Sequence, residues 1–326
     1  MEKLRVGVLS TGNIAATMAE TLRCMEDVEL YAVASRCQEK ADAFAEKYGF
    51  EKAFGTYEEM AADEKVDLVY VATPISEHCS HVKMLLENGR NVLCEKAFAV
   101  NAREAEVMTA LSKEKGLLLA EAMWVRYMPM ARTLQEVLAS GAIGTPYTLT
   151  ANLGYLLESV PRMMKPELAG GALLDVGVYT LTFASIAFGD DISSIDTSVI
   201  MTDTGVDAQS SITISYPDGK MSVLNSSLRA LSDRQGIIYG TKGFLVVENI
   251  NNFESITVYN EKREVTARYD QPKQISGYEY EVRACKKAIE EGMCECPDMP
   301  YSETIRIMEQ MDAVREKWGF RYPMEK

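Results

Sequence analysis

The stretch Leu4-Arg5-Val6-Gly7-Val8-Leu9-Ser10-Thr11-Gly12-Asn13-Ile14-Ala15 decides the fold of the first part of the chain. Residues 4–9 form a short apolar run that is typical of a buried strand. A tight turn follows, and a helical pattern extends from residue 16 to residue 25. Strand, turn and helix start in this order are typical of a βαβ unit that binds a dinucleotide.

The turn Ser10-Thr11-Gly12-Asn13-Ile14 carries small residues where the G-x-G-x-x-G pattern has glycines, namely Ser10, Gly12 and Ala15. Gly12 lets the backbone approach a pyrophosphate closely, and Ala15 is small enough for the helix to pack on the strand. Ser10 replaces the first glycine, which the backbone tolerates if φ there is negative, because a side chain disfavours positive φ. An ordinary tight βα turn is the alternative interpretation.

The second predicted strand, Val28–Ala34, ends in Ser35-Arg36, which bears on the choice of cofactor. An NAD-binding fold usually has Asp or Glu at this strand end, where it accepts hydrogen bonds from the ribose 2′-hydroxyl. A carboxylate would repel a 2′-phosphate, whereas arginine can pair with it bidentately. The sequence therefore predicts NADP, with NAD as the less favoured cofactor. The alternative is a solvated arginine in front of the helix Gln38–Tyr48.

Strands and helices alternate up to about residue 121. Further strands are predicted at 66–72, 91–94 and 117–120, with helices at 56–62 and 102–113 and another that begins at Ser76. This alternation predicts an α/β Rossmann domain, a doubly wound parallel sheet, over residues 1–121.

The pattern changes after residue 127. A helix is predicted at 134–139, a strand at 147–155 and a helix from 170 to about 188. Six strand-like segments follow, at 191–201, 208–216, 221–228, 236–239, 244–248 and 255–259, and two helices close the chain at 278–291 and 302–318. Turn signals between neighbouring strands favour hairpins. Residues 122–326 are therefore predicted to form a substrate-binding α+β domain with a large, mainly antiparallel sheet.

Composition narrows the class of protein. The 326 residues contain 34 Lys and Arg against 48 Asp and Glu, a net charge of −14, which argues against nucleic acid or an anionic membrane as a partner. We find no secretory signal pattern and no window of about 18 uninterrupted apolar residues. Two histidines and an odd number of cysteines, seven, favour a reduced, cytoplasmic protein without a metal.

A lysine at the end of a strand is the first candidate for chemistry. Lys96 closes the strand that begins at Asn91, at the edge of a doubly wound sheet where ligands bind. Asp175 and Tyr179 are four residues apart on a predicted helix and therefore share a face. A tyrosine has a pKa of about 10, and a neighbouring ammonium lowers it towards neutral pH. The alternative is that Lys96 pairs with Glu95 while Tyr179 fills the core.

Several motifs in a fixed order then suggest a family. They are Thr73-Pro74 with His78, Leu93-Cys94-Glu95-Lys96-Ala97-Phe98, Glu121-Ala122-Met123-Trp124-Val125-Arg126-Tyr127, and Pro166-Glu167-Leu168 leading into Gly171-Ala172-Leu173-Leu174-Asp175-Val176-Gly177-Val178-Tyr179. The chain resembles the glucose-fructose oxidoreductase/inositol dehydrogenase/rhizopine-catabolism superfamily. It is most similar to the branch that contains dimeric trans-dihydrodiol dehydrogenases and D-xylose 1-dehydrogenases.

The resemblance implies an NADP-dependent oxidoreductase that acts on a sugar, polyol or vicinal diol. It implies that Lys96 and Tyr179 are catalytic and handle the proton, with Asp175 assisting. Tyr155 and Arg162 would lie towards the substrate with Asp175 and Tyr179. The implied cofactor site comprises the turn Ser10-Thr11-Gly12-Asn13-Ile14 and Ser35, Arg36, Thr73, Pro74, His78, Glu95, Lys96, Trp124 and Arg126.

One departure from the family pattern touches the catalytic lysine. Relatives carry a proline after Glu-Lys that helps to fix the backbone, often as a cis peptide, and Ala97 replaces it here. A cis bond before a residue other than proline costs about 2.5–4 kcal/mol.

The resemblance also implies an assembly, a homodimer or homotetramer formed through the sheet of the second domain. Two other functions stay open at this point. One is a dinucleotide-binding sensor without turnover, and the other is an oxidoreductase that recycles a tightly held NADP between two sugars.

Overall fold

The computed structural model describes residues 3–325. By contacts, the chain divides into two compact units. The first unit comprises Met1–Tyr127 and Gln274–Met308, and the second comprises Met128–Lys273 and Glu309–Lys326. The domain boundary after residue 121 stays a prediction. No pattern in the sequence indicated that residues 274–308 belong to the compact unit of the N-terminal part.

The first unit is built on a parallel sheet, as predicted, and this sheet has six strands. The strands are β1 (Leu4–Leu9), β2 (Val28–Ala34), β3 (Lys52–Phe54), β4 (Leu68–Val71), β5 (Asn91–Glu95) and β6 (Leu119–Ala122). They lie in the order β3-β2-β1-β4-β5-β6. The sequence missed β3 because it is only three residues long, so the strand that ends in Glu95 is the fifth and not the fourth. Strands buried on both faces explain the apolar runs at 68–71 and 92–94.

Nine α-helices accompany the strands within residues 3–325. They are α1 (Asn13–Arg23), α2 (Gln38–Tyr48), α3 (Tyr57–Ala61), α4 (Ile75–Glu87), α5 (Ala102–Lys115), α6 (Pro129–Ala139), α7 (Val178–Phe188), α8 (Glu279–Glu290) and α9 (Tyr301–Lys317). A π-helical turn, Leu173–Gly177, directly precedes α7. The predicted continuous helix from 170 to 188 is therefore wrong over this turn.

The second unit contains a mixed sheet of eight strands, mostly antiparallel as predicted. The strands are β7 (Pro146–Gly154), β8 (Ser194–Met201), β9 (Asp207–Ser215), β10 (Met221–Ser227), β11 (Gly236–Gly240), β12 (Gly243–Glu248), β13 (Ser255–Asn260) and β14 (Val265–Asp270). Their order is β14-β13-β12-β11-β7-β10-β9-β8, and only β7 and β10 pair in parallel. The sequence missed β14, which is largely exposed and lacks the apolar alternation of a half-buried strand.

The stretch Pro166–Phe188 of the second unit is the core helix of this sheet. By length and composition alone it could cross a membrane, but 89 % of its most apolar window is buried inside the protein. The sequence showed no uninterrupted apolar run here, because Asp175 and several small polar residues lie within the stretch. Burial against the sheet accounts for its hydropathy.

A reciprocal pair of hydrogen bonds begins α5, directly after the loop that carries Lys96. The Glu104 backbone N–H donates to Asn101 Oδ1 at 2.9 Å, and the Val100 N–H donates to Glu104 Oε2 at 3.0 Å. The arrangement resembles a capping box, with Glu104 accepting from Val100, the residue before the N-cap, and it satisfies two backbone donors at the helix start.

We expect Asn101→Ala to lower the free energy of unfolding of the first unit by about 1 kcal/mol, because the Glu104 N–H loses its acceptor. Chemical denaturation followed by circular dichroism measures the change. Asn101→Asp is the matched control, since it keeps the acceptor and should unfold within a few tenths of a kcal/mol of the original chain. Equal losses in both variants would contradict the role of the cap.

Candidate active site

The turn after β1 differs from its expected backbone conformation. Ser10 has a φ of +111°, so the condition of a negative φ is not met. The residue takes up the left-handed region that the family glycine would occupy without strain. Its backbone N–H donates to the Ala34 carbonyl at 2.9 Å, and its hydroxyl accepts the Gly12 N–H at 3.3 Å. The first bond ties the turn to the end of β2, and the second lies within the turn.

The N-terminus of α1 is open to an anion. Gly12 caps the helix without a side-chain hydrogen bond, and the first turn contains no acidic residue. Gly12 and Asn13 are exposed, while Thr11 and Ile14 are half-buried. A Cβ on Gly12 would meet only Ser10 Oγ, 3.7 Å away, so a ligand can approach the backbone here. Free N–H groups and the helix dipole suit a pyrophosphate, and the residues of this turn fit a dinucleotide.

The end of β2 presents a cation. Ser35 is buried, and its N–H donates to the Phe54 carbonyl at 3.0 Å. Arg36 is exposed and lies beside Tyr57. Burial raises the pKa of Tyr57, whereas the Arg36 guanidinium opposes that rise. Because the strand ends in no carboxylate, this edge can accept a ribose that carries a 2′-phosphate.

The end of β4 is fixed by two histidines. Thr73 Oγ1 lies 3.0 Å from His81 Nδ1, and the His81 ring packs edge-on against Tyr57 with centroids 4.9 Å apart. Pro74 caps the start of α4. Thr73 and Pro74 therefore lie at the carboxyl edge of the parallel sheet, as the family resemblance implies.

His78 holds two loops of the first unit together. Its Nε2 lies 2.9 Å from the Thr73 carbonyl oxygen, and its Nδ1 lies 3.0 Å from the Ala97 carbonyl oxygen. The side chain is 1 % exposed, and burial lowers its pKa to about 4. At neutral pH the ring is therefore uncharged. Its predicted contact with a cofactor stays a prediction, and its observed role is to fix the backbone beside Lys96.

Glu95 and Lys96 differ in burial at the end of β5. Glu95 is buried, where Oε1 accepts the Tyr70 hydroxyl and Oε2 accepts the Lys96 backbone N–H at 3.1 Å. The Lys96 side chain is half-exposed, and the Lys96–Ala97 peptide bond is cis. The replacement of proline by Ala97 has therefore not removed the cis peptide.

The segment 274–308 supports the predicted residues at the end of β6. The Trp124 ring stacks on Tyr278 with centroids 4.3 Å apart and an interplanar angle of 9°, and Arg126 forms an ion pair with Glu303. Sequence reasoning missed Tyr278 and Glu303 because each lies more than 150 positions away from its partner.

Two further buried carboxyl groups surround this part of the first unit. Burial raises the pKa of Glu121 to about 7 and that of Glu281 well above its ordinary value. The charge of Glu95 contributes to both shifts. The sequence did not predict that these two glutamates are buried, because a glutamate on a helix or at a strand end is usually solvated.

The second unit contains Asp175 and Tyr179. Asp175 lies in the π-turn and accepts a hydrogen bond from Arg162 Nη2 at 3.1 Å. Tyr179 lies in the first turn of α7 and is mostly buried. The structure thus brings Asp175 and Arg162 together, and their position towards the substrate stays a prediction. A π-turn is often found at a functional site.

Tyr155 follows β7 and lies among loop residues that sequence reasoning missed. Its hydroxyl donates to Asn251 Oδ1 at 3.2 Å, and the Arg234 guanidinium lies 5.8 Å from its ring centroid. Arg234 has a φ of +60°, the left-handed region. The sequence shows only a polar loop between two strands here, and such a loop does not predict which residues contact Tyr155.

The family models match both parts of the chain. Residues 4–123 match the oxidoreductase family with an NAD-binding Rossmann fold, and residues 131–246 match the GFO/IDH/MocA C-terminal domain. The trans-1,2-dihydrobenzene-1,2-diol dehydrogenase of Xenopus laevis is 32 % identical, over 97 % of this chain and 98 % of its own length. The enzyme of that name from Mus musculus is also 32 % identical, over 99 % of both chains.

Solved structures agree with the fold. A 3-ketoreductase from Actinomadura kijaniata, in complex with NADP and TDP-benzene, superposes with a TM-score of 0.88 at 23 % identity, covering 97 % of this chain and 98 % of that one. An aldose-aldose oxidoreductase from Caulobacter crescentus, complexed with glycerol, also reaches a TM-score of 0.88, at 20 % identity and with 98 % and 99 % covered. The predicted fold and family are confirmed, and the chain belongs to the GFO/IDH/MocA oxidoreductase family.

Proposed function

We propose that the protein is an NADP-dependent oxidoreductase acting on the CH–OH group of a sugar, polyol or vicinal diol. The observation that carries the proposal lies within the first unit. Lys96 follows β5 at the carboxyl edge of the sheet, and the open N-terminus of α1 follows β1 at the same edge. The strand order reverses between β1 and β4, which is where doubly wound sheets bind ligands.

The residues of the first unit would hold the cofactor. The backbone N–H groups from Gly12 onward would bind the pyrophosphate, and Arg36 would pair with the 2′-phosphate. When bound, the nicotinamide would accept or donate a hydride. The sugar and diol substrates are suggested by the names of the similar proteins, including a dihydrodiol dehydrogenase and an aldose-aldose oxidoreductase.

Proton handling is assigned to three side chains. We assign Tyr179 as the group that takes the hydroxyl proton while the carbinol carbon gives up a hydride, and that returns it in the reverse direction. The Lys96 ammonium would favour the phenolate form of Tyr179. Asp175, held by Arg162, would orient the substrate hydroxyl. A half-exposed lysine at the sheet edge and a tyrosine directly after a π-turn support these roles.

An oligomer is proposed through the outward face of the eight-stranded sheet. Tyr239, Phe244 and Tyr259 are cross-strand neighbours on that face. Phe244 and Tyr259 stack with ring centroids 4.7 Å apart, and the alternate residues Leu245 and Val247 point into the core. An aromatic row on an open sheet face favours a second copy of the chain as its cover.

The first prediction concerns the proton-handling residues. We expect Lys96→Ala and Tyr179→Phe each to lower kcat/KM by about 10²-fold or more, because proton transfer by a positioned side chain contributes that much. NADPH oxidation with a panel of aldoses and diketones measures it. Lys83→Ala is the matched control, since Lys83 is also half-exposed and lies on the same unit, on α4.

The outcomes separate the functions. Wild-type turnover by Lys96→Ala would refute the role of Lys96. Tight NADP binding by the wild type with no turnover across the panel would instead point to a sensor. NADP that stays with the protein through gel filtration while one sugar reduces another would indicate a recycling oxidoreductase.

The second prediction concerns the choice of cofactor. We expect Arg36→Ala to weaken NADP binding about tenfold or more while NAD binding changes less than twofold, because only NADP loses a charge-assisted hydrogen bond. Fluorescence titration with both dinucleotides measures the two Kd values. Arg103→Ala, an exposed arginine on α5, is the control. Equal weakening of both dinucleotides would contradict a 2′-phosphate contact.

The third prediction concerns assembly. We expect Tyr239→Lys to shift the protein to a smaller mass in sedimentation velocity, because a charge would be buried in the proposed interface. Tyr269→Lys is the matched control, because both tyrosines are 40 % exposed but Tyr269 pairs across the strands with Ile256, which points into the core. A wild type that sediments as a monomer would refute the interface.

A further inference from the structure

A buried carboxylate of the second unit holds the start of the π-turn. Asp207 is the first residue of β9 and is 1 % exposed. Its Oδ2 accepts the Leu173 backbone N–H at 2.6 Å. Leu173 begins the π-turn, which contains Asp175 and leads directly into the helix of Tyr179. No role for Asp207 was predicted from the sequence, since it lies 32 positions from Asp175 and outside every family motif quoted above.

Gly171 makes room for this carboxylate. Its φ is +119°, and a Cβ built there would lie 2.1 Å from Asp207 Oδ1. A side chain at this position would therefore have to displace the Asp207 carboxylate as well as adopt a disfavoured backbone conformation. Gly171 and Asp207 act together. Gly171 lets the chain bend, and Asp207 accepts a hydrogen bond from the backbone that follows.

The charge of Asp207 is placed at the N-terminal end of a helical stretch. An anion at this end interacts favourably with the unpaired N–H groups and with the helix dipole. A π-turn is rarer than an α-turn and persists only where the surroundings support it. The hydrogen bond from Leu173 to Asp207 is such a support, and it lies two residues before Asp175.

Several charged and titratable groups face Asp207. Burial raises its pKa to about 6, while the backbone N–H groups of Leu173 and Ala172 and the charge of Arg315 oppose that rise. Arg315 also binds Glu325 and Asp312. The Tyr322 hydroxyl, which donates to the Gly170 carbonyl at 2.8 Å, is buried near Asp207 and has a pKa well above its ordinary value.

We propose that Asp207 is a positioning residue, whose ionised carboxylate fixes the π-turn so that Asp175 and Tyr179 are held in their working orientation. The inference rests on the proposed function, because it assigns a supporting residue to the same proton-handling groups. Asp207 touches neither substrate nor cofactor in this role, and it acts through the backbone of Leu173.

The variant Asp207→Asn keeps the shape of the side chain and removes its charge. We expect kcat to fall between about tenfold and a hundredfold, because small misplacements of catalytic groups cost this much. The KM for substrate and the Kd for NADP should change less than twofold. Gly171→Ala is the second variant. It displaces the carboxylate without altering its charge, and it should lower kcat in the same way.

The pH dependence gives a readout that a merely structural role would not move. The folded pKa of Asp207, about 6, lies above the ordinary value of 3.8, so ionisation costs folding stability as the pH rises from about 4 to 6. The effect on activity should have the opposite sign. We expect kcat to fall as the pH drops through about 6, because Asp207 then loses its charge. Asp207→Asn should lack this acidic limb. This measurement on the wild type needs no variant to fold.

Two sets of controls complete the test. Ser222→Ala removes another buried hydrogen-bonding group of the same unit, one that bonds Tyr216, and it should leave kcat unchanged. Lys96→Ala and Tyr179→Phe are assayed alongside. If those two lose activity while Asp207→Asn keeps wild-type kcat and its acidic limb, the positioning role is refuted and the proposed function stands. If those two keep wild-type activity, the assigned proton-handling roles fail and the positioning role fails with them, whereas a wild type without turnover refutes the proposed function itself.

Discussion

The burial of the Glu95 side chain is the constraint on which the candidate site depends. A buried carboxylate costs several kcal/mol unless hydrogen-bond donors surround it. Tyr70 donates one hydrogen bond to it, and the backbone of Lys96 donates another. Because Glu95 is held inside and accepts the Lys96 N–H, the backbone that carries Lys96 is fixed at the end of β5. The Ala97 carbonyl that follows lies against His78.

A buried carboxylate also fixes the backbone in the second unit. Asp207 is buried and binds the backbone at the start of the π-turn, just as Glu95 binds the backbone at the end of β5. In both places a buried carboxylate fixes a backbone N–H, and a candidate catalytic side chain follows within a few residues. Such carboxylates cost folding stability, as the raised pKa of Asp207 shows. Their retention beside candidate catalytic groups is understandable if orientation matters more there than stability.

The sequence predicted the parallel sheet, the bounds of Val28–Ala34 and Gln38–Tyr48, and the order of most later strands, because these follow from local periodicity. It missed three kinds of feature. The short strand β3 carries too few residues for a period. The π-turn at Leu173–Gly177 looks like ordinary helix in composition. The conformation of Ser10 is imposed by its bonds to Ala34 and Gly12, which no local pattern encodes.

The residues of the candidate site also fall into two classes, those that the sequence predicted and those that it missed. Motif residues such as Arg36, Lys96 and Asp175 could be chosen from the sequence, because their chemistry is visible in the residue type. Their supports could not be chosen, since Tyr278 and Asp207 are remote in sequence from the residues they contact. A buried acid and an exposed acid are the same residue type in the sequence, and only the fold distinguishes them. It follows that supporting residues must be sought from burial and hydrogen bonds, and that Asp207 is found only in this way.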